Sequence, residues 1–533
     1  MYMANQKKLI SMMLAVMVMM AIFFPSVGQD YKAFANPNYP YQEIKIVGSN
    51  HENINITGFN ENDPINFWPS NGESNERWRL STTDGINFKI INMRTGKLLS
   101  ALASGIGADT AAVLRSDEGD EGQLWKFISV ETDVNGDALR YKIVSKRDES
   151  LALTLDTSNQ SVNLKTYTGE AKQKFKLESD GLIGFAGHVN ADGGEKTGTI
   201  GGLLGKTVFV SDLTSFKDAL LNPDPLTIVI AANINSLSEV YDLRIASNKT
   251  IIGSYGANTL VDPRLRTDDY FKVQPVSNNI IIKNVNISVE NREDVVAIAV
   301  YGSRNIWIDH SSFSTTLPLD KDEVGKFIWV NRSIYAAQDP DFVTLSYNNF
   351  YHRYWGVAFG AGFVDKDRAT AAYNKFDSVI HRTPQLGNGK LHALNNFMVR
   401  THAGTNNDGY SSLNVGAGGQ VYSNANRFEG YRKESSGYWD NEVSVDTAGY
   451  FTDTGSYTDK AETPPFPLPY PLPTPSGNPS PWNPITNYNF QTLKAYDANG
   501  MDVKGFVNAY SGASSFAGGI KYIHYPELSA YLN

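Results

Sequence analysis

The chain of 533 residues contains no cysteine. Disulfide bonds, cysteine metal ligands and a cysteine nucleophile are therefore excluded, and an exported protein of this kind must rely on burial of apolar side chains. Hydrophobic residues make up 41% of the chain and charged residues 19%, which suits a globular protein with a large core. The absence of disulfides also favours a bacterial source.

Basic residues are not in excess, and long apolar runs are missing beyond the N-terminus. The formal net charge is −9, so nucleic-acid binding, which needs a basic face, is not expected. Two lysines precede an apolar run from Leu9 to Phe24, and an A-x-A sequence ends at Ala35. These features predict a signal peptide over residues 1–35, a secreted, extracellular protein, and no membrane association after its removal.

Residues 41–178 contain three similar segments, each of which ends on an aromatic residue: Trp78, Trp125 and Phe175. These aromatic residues are 47 and 50 residues apart. A polar residue lies two positions before each of them: Glu76, Gln123 and Gln173. Three copies of about four short strands predict a closed β structure with pseudo-threefold symmetry, in which the aromatic residues meet in the core.

These residues resemble the ricin-type β-trefoil lectin family, whose repeats carry Gln-x-Trp. Copy one has Glu76 in place of Gln, and copy three has Phe175 in place of Trp. The resemblance implies a carbohydrate-binding domain with shallow pockets, each formed by a carboxylate and a stacking aromatic residue, that would bind plant cell-wall glycans. Asp156 with Tyr167 is the best candidate pocket, and Trp68 is a second candidate. The alternative is a structural trefoil whose pockets bind no sugar.

The chain from residue 181 onward has a different pattern, in which short strand-like runs end on an apolar residue every 21 to 37 residues: Ile287, Phe313, Phe350, Phe376, Phe397 and Phe428. An asparagine lies two positions before four of these phenylalanines: Asn348, Asn374, Asn395 and Asn426. Coils of this length predict a solenoid with stacked interior Phe and Asn side chains. A β-sandwich with Asn-rich turns is the alternative.

Several sequences in this region resemble the pectate lyase/pectin lyase family: SNKTIIG (Ser247–Gly253), NIWIDH (Asn305–His310), Arg382-x-Pro384 and LHALNN (Leu391–Asn396). The resemblance implies an all-β fold, a right-handed parallel β-helix over residues 181–533, preceded by the β-trefoil. It also implies that Asp309 and His310 support the site and are not catalysts. The Pro-rich stretch Thr463–Pro484 is predicted to lie along the outside of the solenoid.

The resemblance implies cleavage of pectic polygalacturonan by β-elimination. A base removes the C5 proton beside the uronate carboxyl group, and the C4 oxygen leaves. Because negative charge develops on that carboxyl group, the site must supply Ca²⁺ or guanidinium groups. Arg382 matches the arginine proposed as the base; neighbouring cations and desolvation would have to favour its neutral form. The alternative role for Arg382 is a clamp on a substrate carboxylate.

The calcium ligands of the family are mostly replaced in this chain. One expected Asp position holds Val296, with Asp294 two residues earlier as a candidate ligand, and two further positions hold Asn331 and Tyr335. Calcium prefers several carboxylate and carbonyl oxygens. The cofactor is therefore either none or Ca²⁺, and three loop carboxylates are candidate replacement ligands: Asp320, Asp322 and Glu323.

Four further residues are expected to bind substrate beside Arg382: Arg332, Arg353, Tyr354 and Lys390. The family's second Arg after the Pro falls at Gly387, so one cation is absent. The sequence His352–Gly356 resembles an aromatic stretch of the pectin lyase branch, whose methyl-esterified substrate needs no metal. Methylated pectin without calcium is therefore favoured on ligand count, although pectate with calcium is the commoner activity in the family.

The sequence predicts a lyase that acts as a monomer on pectic polysaccharide. Two alternatives stay open. A non-catalytic pectin-binding protein on the same scaffold would bind the polymer and give no unsaturated product. A glycoside hydrolase would need paired Asp or Glu residues at strand ends, and no such pair stands out in the stacked runs.

Overall fold

The computed structural model describes residues 39–533 except 102–106, 240–241, 257, 269–275, 291–295, 317–331, 361–367, 401–410, 432–440, 460–469, 473–477 and 517. The predicted signal peptide over residues 1–35 and the candidate ligand Asp294 lie outside the described residues. Within them, no helix has the length and apolar character that crossing a bilayer requires.

The first region is a closed antiparallel β structure of twelve described strands. The first and last strands pair with each other from Ile44 with Ser179 to Gly48 with Phe175, which closes the sheet. The side chains of Trp78, Trp125 and Phe175 are fully buried and meet in one core cluster, as the repeat predicts. The strands are β1 Ile44–Gly48, β2 Glu52–Ile56, β3 Ile65–Pro69, β4 Trp78–Ser81, β5 Lys89–Asn92, β6 Leu98–Ala101, β7 Thr110–Arg115, β8 Trp125–Thr132, β9 Ala138–Ser145, β10 Leu151–Asp156, β11 Ser161–Thr166 and β12 Phe175–Ser179.

The polar residue before each closing aromatic residue holds the loop that precedes it. Gln123 accepts from the backbone N–H of Glu118 at 2.9 Å and donates to the carbonyl of Ser116 at 2.7 Å. Gln173 accepts from the N–H of Thr168 at 2.7 Å in the same way. Each glutamine therefore satisfies buried backbone groups that the loop leaves free. This common bonding explains why the residue type recurs in the copies.

The second region is a parallel β-helix, and its first sheet contains ten described strands. Their registers align β-branched and Leu residues of successive coils, for example Ile228 with Ile251 and then Ile282. Such runs are typical of parallel strands whose inner face is covered. The strands are β15 Lys206–Val210, β16 Leu226–Ile230, β19 Lys249–Gly253, β22 Ile280–Lys283, β25 Arg304–Asp309, β28 Asp341–Ser346, β30 Arg368–Ala372, β33 Gly389–Leu394, β36 Gly419–Asn424 and β39 Tyr450–Thr454.

The second sheet contains seventeen described strands, parallel except where the last pairs antiparallel with its neighbour. The long strand β29 bends, since it pairs with β26 through Phe350 and with β27 through Trp355. The strands are β17 Ile234–Asn235, β18 Leu243–Arg244, β20 Thr259–Val261, β21 Leu265–Arg266, β23 Asn286–Val289, β24 Val296–Tyr301, β26 Ser312–Thr315, β27 Arg332–Ala337, β29 Asn349–Phe359, β31 Lys375–His381, β32 Gln385–Leu386, β34 Phe397–Val399, β35 Ser411–Val415, β37 Arg427–Glu429, β38 Asn441–Val445, β40 Tyr457–Thr458 and β41 Tyr470–Pro471.

Two helices and a short hairpin complete the described elements. Helix α1, Leu213–Leu221, buries Phe216 and Leu220 against the first coils, and Asp212 caps it by accepting from the N–H of Ser215 at 2.9 Å. Helix α2, Val503–Tyr510, packs on the turns that follow the ten-stranded sheet. The hairpin strands are β13 Val189–Ala191 and β14 Gly194–Lys196.

Stacked side chains fill the β-helix interior largely as predicted. The ring of Phe350 stacks on Phe313 and on Phe376, with centroids 4.8 Å apart in both pairs. A ladder of asparagine amides runs beside them, in which Asn348 donates to Asn374 at 3.0 Å. The interior is therefore continuous from coil to coil.

The prediction was wrong by one residue in one coil. Phe376 lies opposite Met398, not Phe397, and Asn396, not Asn395, continues the asparagine ladder. Phe397 is buried on the outside, against the C-terminal segment, because successive residues of a strand face opposite sides of the sheet. Asn395 instead donates to the carbonyl of Gln491 at 2.9 Å, which holds that segment in place.

The trefoil packs on the outside of the ten-stranded sheet. Arg304 donates to the carboxylate of Asp137 at 2.8 and 3.0 Å, and Thr250 donates to Gln42 at 2.9 Å. The described parts of the Pro-rich stretch also lie against the β-helix, where Trp482 stacks on Phe185.

Candidate active site

Arg382 lies in the second sheet, at the turn between β31 and β32. Its backbone adopts φ +65°, a left-handed conformation that non-glycine residues seldom adopt. The N–H of Val357, on the preceding coil, donates to the Arg382 carbonyl at 2.7 Å and fixes this turn. The side chain is half-buried. The turn therefore holds Arg382 in one conformation without enclosing it.

Trp355 is the residue that brings two arginines together. The guanidinium carbon of Arg382 lies 4.3 Å from the centre of its ring, and that of Arg332 lies 4.7 Å from it. Arg332 belongs to the coil before Trp355, since the two residues are in register, and Arg382 belongs to the coil after it. Distances below about 6 Å give an attractive cation–π interaction. Two cations are thus held on neighbouring coils by one aromatic ring.

The same arrangement continues along the preceding coils. The guanidinium carbon of Arg332 also lies 5.1 Å from the ring centre of Tyr335, whose ring meets that of Tyr301 edge-on at 6.0 Å. Arg266 lies 4.8 Å over Tyr301. We call the set the arginine–aromatic column: Arg266, Tyr301, Tyr335, Arg332, Trp355 and Arg382. It crosses five successive coils, about 19 Å at the usual strand spacing.

The described residues at the expected calcium positions do not suit a divalent cation. Val296 has no oxygen ligand in its side chain and is in register with Arg332. Tyr335 lies under the Arg332 guanidinium, whose positive charge would repel a cation there. Among the described residues, no group of three or more carboxylate or imidazole side chains could hold a metal ion. Asn331, Asp320, Asp322 and Glu323 lie outside the described residues.

Two of the expected substrate-binding residues lie elsewhere. Arg353 is 0% exposed inside the β-helix and not on the outer surface, because β29 bends after His352, whose φ is +53°. Lys390 lies in the ten-stranded sheet, in register with Arg368 and Gln420, because the chain turns a corner between β32 and β33. The side chain of Tyr354 lies outside the described part of the structure. Of the expected residues, Arg332 and Arg382 are brought together.

Asp309 and His310 form a buried support behind the ten-stranded sheet. The Asp309 carboxylate lies 2.9 Å from Nδ1 of His310 and accepts from the hydroxyl of Tyr522 at 2.7 Å. Burial alone would raise the pKa of Asp309, but the charge of His310 and these hydrogen bonds outweigh it and lower the pKa. Both side chains are fully buried, so their position agrees with the expected supporting role.

The first candidate sugar pocket of the trefoil, Asp156 with Tyr167, is already engaged in contacts within the chain. Asp156 accepts from the hydroxyl of Ser158 at 2.6 Å and from Lys165 at 3.4 Å. The Lys142 ammonium lies 4.6 Å over the ring of Tyr167. Trp68 is 38% exposed on β3. A sugar would have to displace the lysine to stack on Tyr167, whereas Trp68 offers an exposed surface.

Sequence reasoning did not single out Trp355, Tyr301 or Arg266 as members of a site. Trp355 was recognisable only as part of an aromatic stretch, and Tyr301 and Arg266 carried no signal of their own. Their grouping depends on the register of strands that are separated by loops of different lengths. A search for aromatic and Arg residues at matching positions of successive coils could have found them.

A part-exposed column of arginines and aromatic rings along a parallel β-helix suits a protein that handles an acidic polysaccharide. Comparison with known families agrees. The pectate lyase model matches residues 176–469, and a ricin-type β-trefoil lectin domain-like model matches residues 74–168. Since the first match covers more than half of the chain, the chain belongs to the pectate lyase family.

Its curated relatives include both pectin lyases and pectate lyases. A pectin lyase of Bacillus subtilis is 27% identical over 63% of this chain and 89% of its own length. A pectin lyase of Pseudomonas marginalis is 29% identical over 48% of this chain and 78% of its own. A probable pectate lyase B of Aspergillus terreus is 30% identical over 38% of this chain and 58% of its own.

Proposed function

We propose that the enzyme cleaves methyl-esterified polygalacturonan by β-elimination without a metal ion. The arrangement of Arg332, Trp355 and Arg382 carries this proposal. Two guanidinium groups are held where the resemblance would place metal-dependent chemistry, and the described residues at the expected calcium positions, Val296 and Tyr335, carry no carboxylate. The pectin lyases among the relatives lend support, because their names give the same substrate.

Arg382 is proposed as the base and Arg332 as the group that stabilises developing charge. The C5–H bond breaks, its electrons form the C4=C5 double bond, and the C4–O bond breaks with its electrons on the leaving oxygen, which takes up a proton. Charge develops on the C6 carbonyl oxygen during this step. A guanidinium group donates to such an oxygen without reorganisation when it is already held in position. A positive charge nearby also favours the neutral, basic form of Arg382.

The test is the ultraviolet absorbance of the unsaturated product, on polygalacturonate and on esterified pectin, each with and without EDTA. The proposal expects turnover of esterified pectin that EDTA leaves unchanged. Turnover of polygalacturonate alone, abolished by EDTA and restored by Ca²⁺, would contradict it. Binding of both polymers without any product would instead support a pectin-binding protein that lacks catalysis.

We also propose that the trefoil binds plant cell-wall glycans and that the protein works as a secreted monomer. The lectin-like match supports sugar binding, with Asp156, Tyr167 and Trp68 as candidate contacts. The apolar run from Leu9 to Phe24 supports export. Pull-down with insoluble cell-wall material, light scattering, and N-terminal sequencing of protein from the culture medium test these three statements.

A further inference from the structure

Arg353 is a buried cation that has no hydrogen-bond partner in the described part of the chain. Its side chain is 0% exposed, and none of its three guanidinium nitrogens has a hydrogen-bond acceptor among the described residues. The buried Arg427, by contrast, donates to Glu429 at 2.8 and 3.1 Å. Burying a charge is very costly unless it is paired. The position of Arg353 therefore calls for a negatively charged neighbour.

Two more unpartnered polar groups lie on the coils next to Arg353. The hydroxyl groups of Ser333 and Thr383 are buried, and neither has a hydrogen-bond partner among the described residues. Ser333 lies beside Gly356, because the residues on either side of it pair as Arg332 with Trp355 and Ile334 with Val357. Thr383 belongs to the following coil. Among the described residues, three successive coils thus contribute unpaired donors to one corner of the β-helix, around Gly356: Ser333, Arg353 and Thr383.

Gly356 is closely packed between the neighbouring coils. A Cβ atom added to it would lie 2.7 Å from the carbonyl oxygen of Arg382, 3.1 Å from Cγ1 of Val379 and 3.5 Å from Cγ2 of Thr383, so these residues all lie next to Gly356. Val379 is the register partner of Arg353, and side chains of paired residues in neighbouring parallel strands point the same way. The Arg353 side chain therefore lies next to that of Val379, which itself approaches Gly356.

We propose that Arg353, Ser333 and Thr383 bind a small monovalent inorganic anion, of the size of chloride, inside the β-helix. The guanidinium supplies charge and up to five N–H donors, and each hydroxyl supplies one O–H donor. Because all three side chains are buried, the ligand must be small. A polymer carboxylate does not fit this description.

The charge state of Arg353 is consistent with an anion. Burial lowers the pKa of Arg353 to about 9, which is still above neutral pH, so the guanidinium keeps its charge. The site lies directly behind the arginine–aromatic column, because Thr383 follows Arg382 and Gly356 follows Trp355. A bound anion would hold this corner together, a role that goes beyond the proposed catalysis and does not depend on it.

The first experiment measures thermal stability of the full chain as a function of halide. Protein is dialysed into sodium gluconate, and chloride or bromide replaces gluconate at constant ionic strength. A ligand that binds the folded state raises Tm saturably, by about 2–4 °C in this case. Arg353→Met should abolish the rise. Arg79→Met, which removes a half-buried arginine of the trefoil, should retain it.

The second experiment needs no variant and decides the matter if Arg353→Met does not fold. Crystals of the unaltered protein grown in sodium bromide should show an anomalous scattering peak within hydrogen-bond distance of the Arg353 guanidinium. Any of three results would overturn the proposal. The Tm does not change with halide, the Arg353→Met variant keeps the halide response, or the bromide map has no peak at Arg353.

Discussion

The β-helix and the trefoil use aromatic and charged side chains in different ways. On the β-helix, Trp355 contacts two arginines, so the ring positions their guanidinium groups for a ligand. In the trefoil, Lys142 covers Tyr167 and Ser158 bonds Asp156, so the same residue types are engaged with each other. At the arginine–aromatic column, the side chains are already in position for a ligand. At this trefoil pocket, a sugar must replace existing contacts with new ones. We therefore expect substitutions in the column to have larger effects than those in the trefoil.

The largest difference is expected for the arginine proposed as the base. Arg382→Lys keeps the positive charge but loses the guanidinium, and should lower kcat/KM on esterified pectin by about 10²–10⁴-fold, the range for loss of a general base. Arg94→Lys is the matched control, because Arg94 also lies over an aromatic ring, 4.7 Å from the centre of Phe59 in the trefoil. Retained activity in Arg382→Lys would remove Arg382 from the base role.

A pH-dependent difference in stability is expected at His392, a fully buried residue of the β-helix. Its Nε2 lies 2.9 Å from Oδ1 of Asn424 and its Nδ1 lies 2.9 Å from the hydroxyl of Tyr488. Burial lowers the pKa of His392 to about 3. The unfolded chain therefore binds a proton below about pH 6.5 that the folded chain does not, and stability falls as the pH drops from 6.5 towards 3.

Because of His392, the free energy of unfolding is about 2 kcal/mol lower at pH 5 than at pH 7.5. This difference arises between pH 6.5 and pH 5, where the unfolded chain alone binds the proton. Urea unfolding at both pH values should show that His392→Gln loses less stability on acidification than the unaltered protein. His51→Asn, at an exposed turn of the trefoil, should leave the loss of stability on acidification unchanged. Equal acid sensitivity in His392→Gln and the unaltered protein would show that His392 is not the group responsible.

The next effect tests whether the ring of Trp355 organises the site. Trp355→Leu removes two cation–π contacts of about 0.5–1 kcal/mol each and should lower kcat/KM about tenfold. Tyr167→Leu removes the corresponding contact in the trefoil and should leave activity on soluble pectin unchanged. If both variants keep full activity on soluble pectin, the arginines do not need the ring.

The sequence predicted the coils better than the site, for physical reasons. Phe313, Phe350 and Phe376 recur because the interior of a solenoid repeats, and repetition is visible along the chain. Alternation from the interior Phe350 would place Arg353 on the outside, because successive residues of a strand face opposite sides of the sheet. Arg353 is buried instead because β29 bends at His352, whose φ is +53°. That bend has no counterpart in a repeat pattern.

The same limit explains the error at Phe397. The sequence LNNF has two asparagines before its phenylalanine, so counting two positions back from Phe397 selected Asn395. The β-helix instead aligns Met398 with Phe376, which places Asn396 in the ladder. Both Phe397 and Met398 are apolar, so hydrophobicity alone does not distinguish the two registers. The segment around Gln491, far along the chain, bonds Asn395 and packs with Phe397, which favours the observed register.

The smallest effect is expected in the trefoil. Asp156→Asn weakens the charge on a carboxylate that already accepts from Ser158, and should reduce retention on insoluble pectin about threefold, in line with one modest hydrogen bond. Asp148→Asn is a close control, because Asp148 accepts from the hydroxyl of Ser150 at 2.7 Å in the same kind of turn. Retention lowered equally by both substitutions would mean that charge on the surface, and not a pocket at Asp156, holds the polymer. Retention lowered by neither would leave Trp68, with its exposed ring, as the contact to examine next.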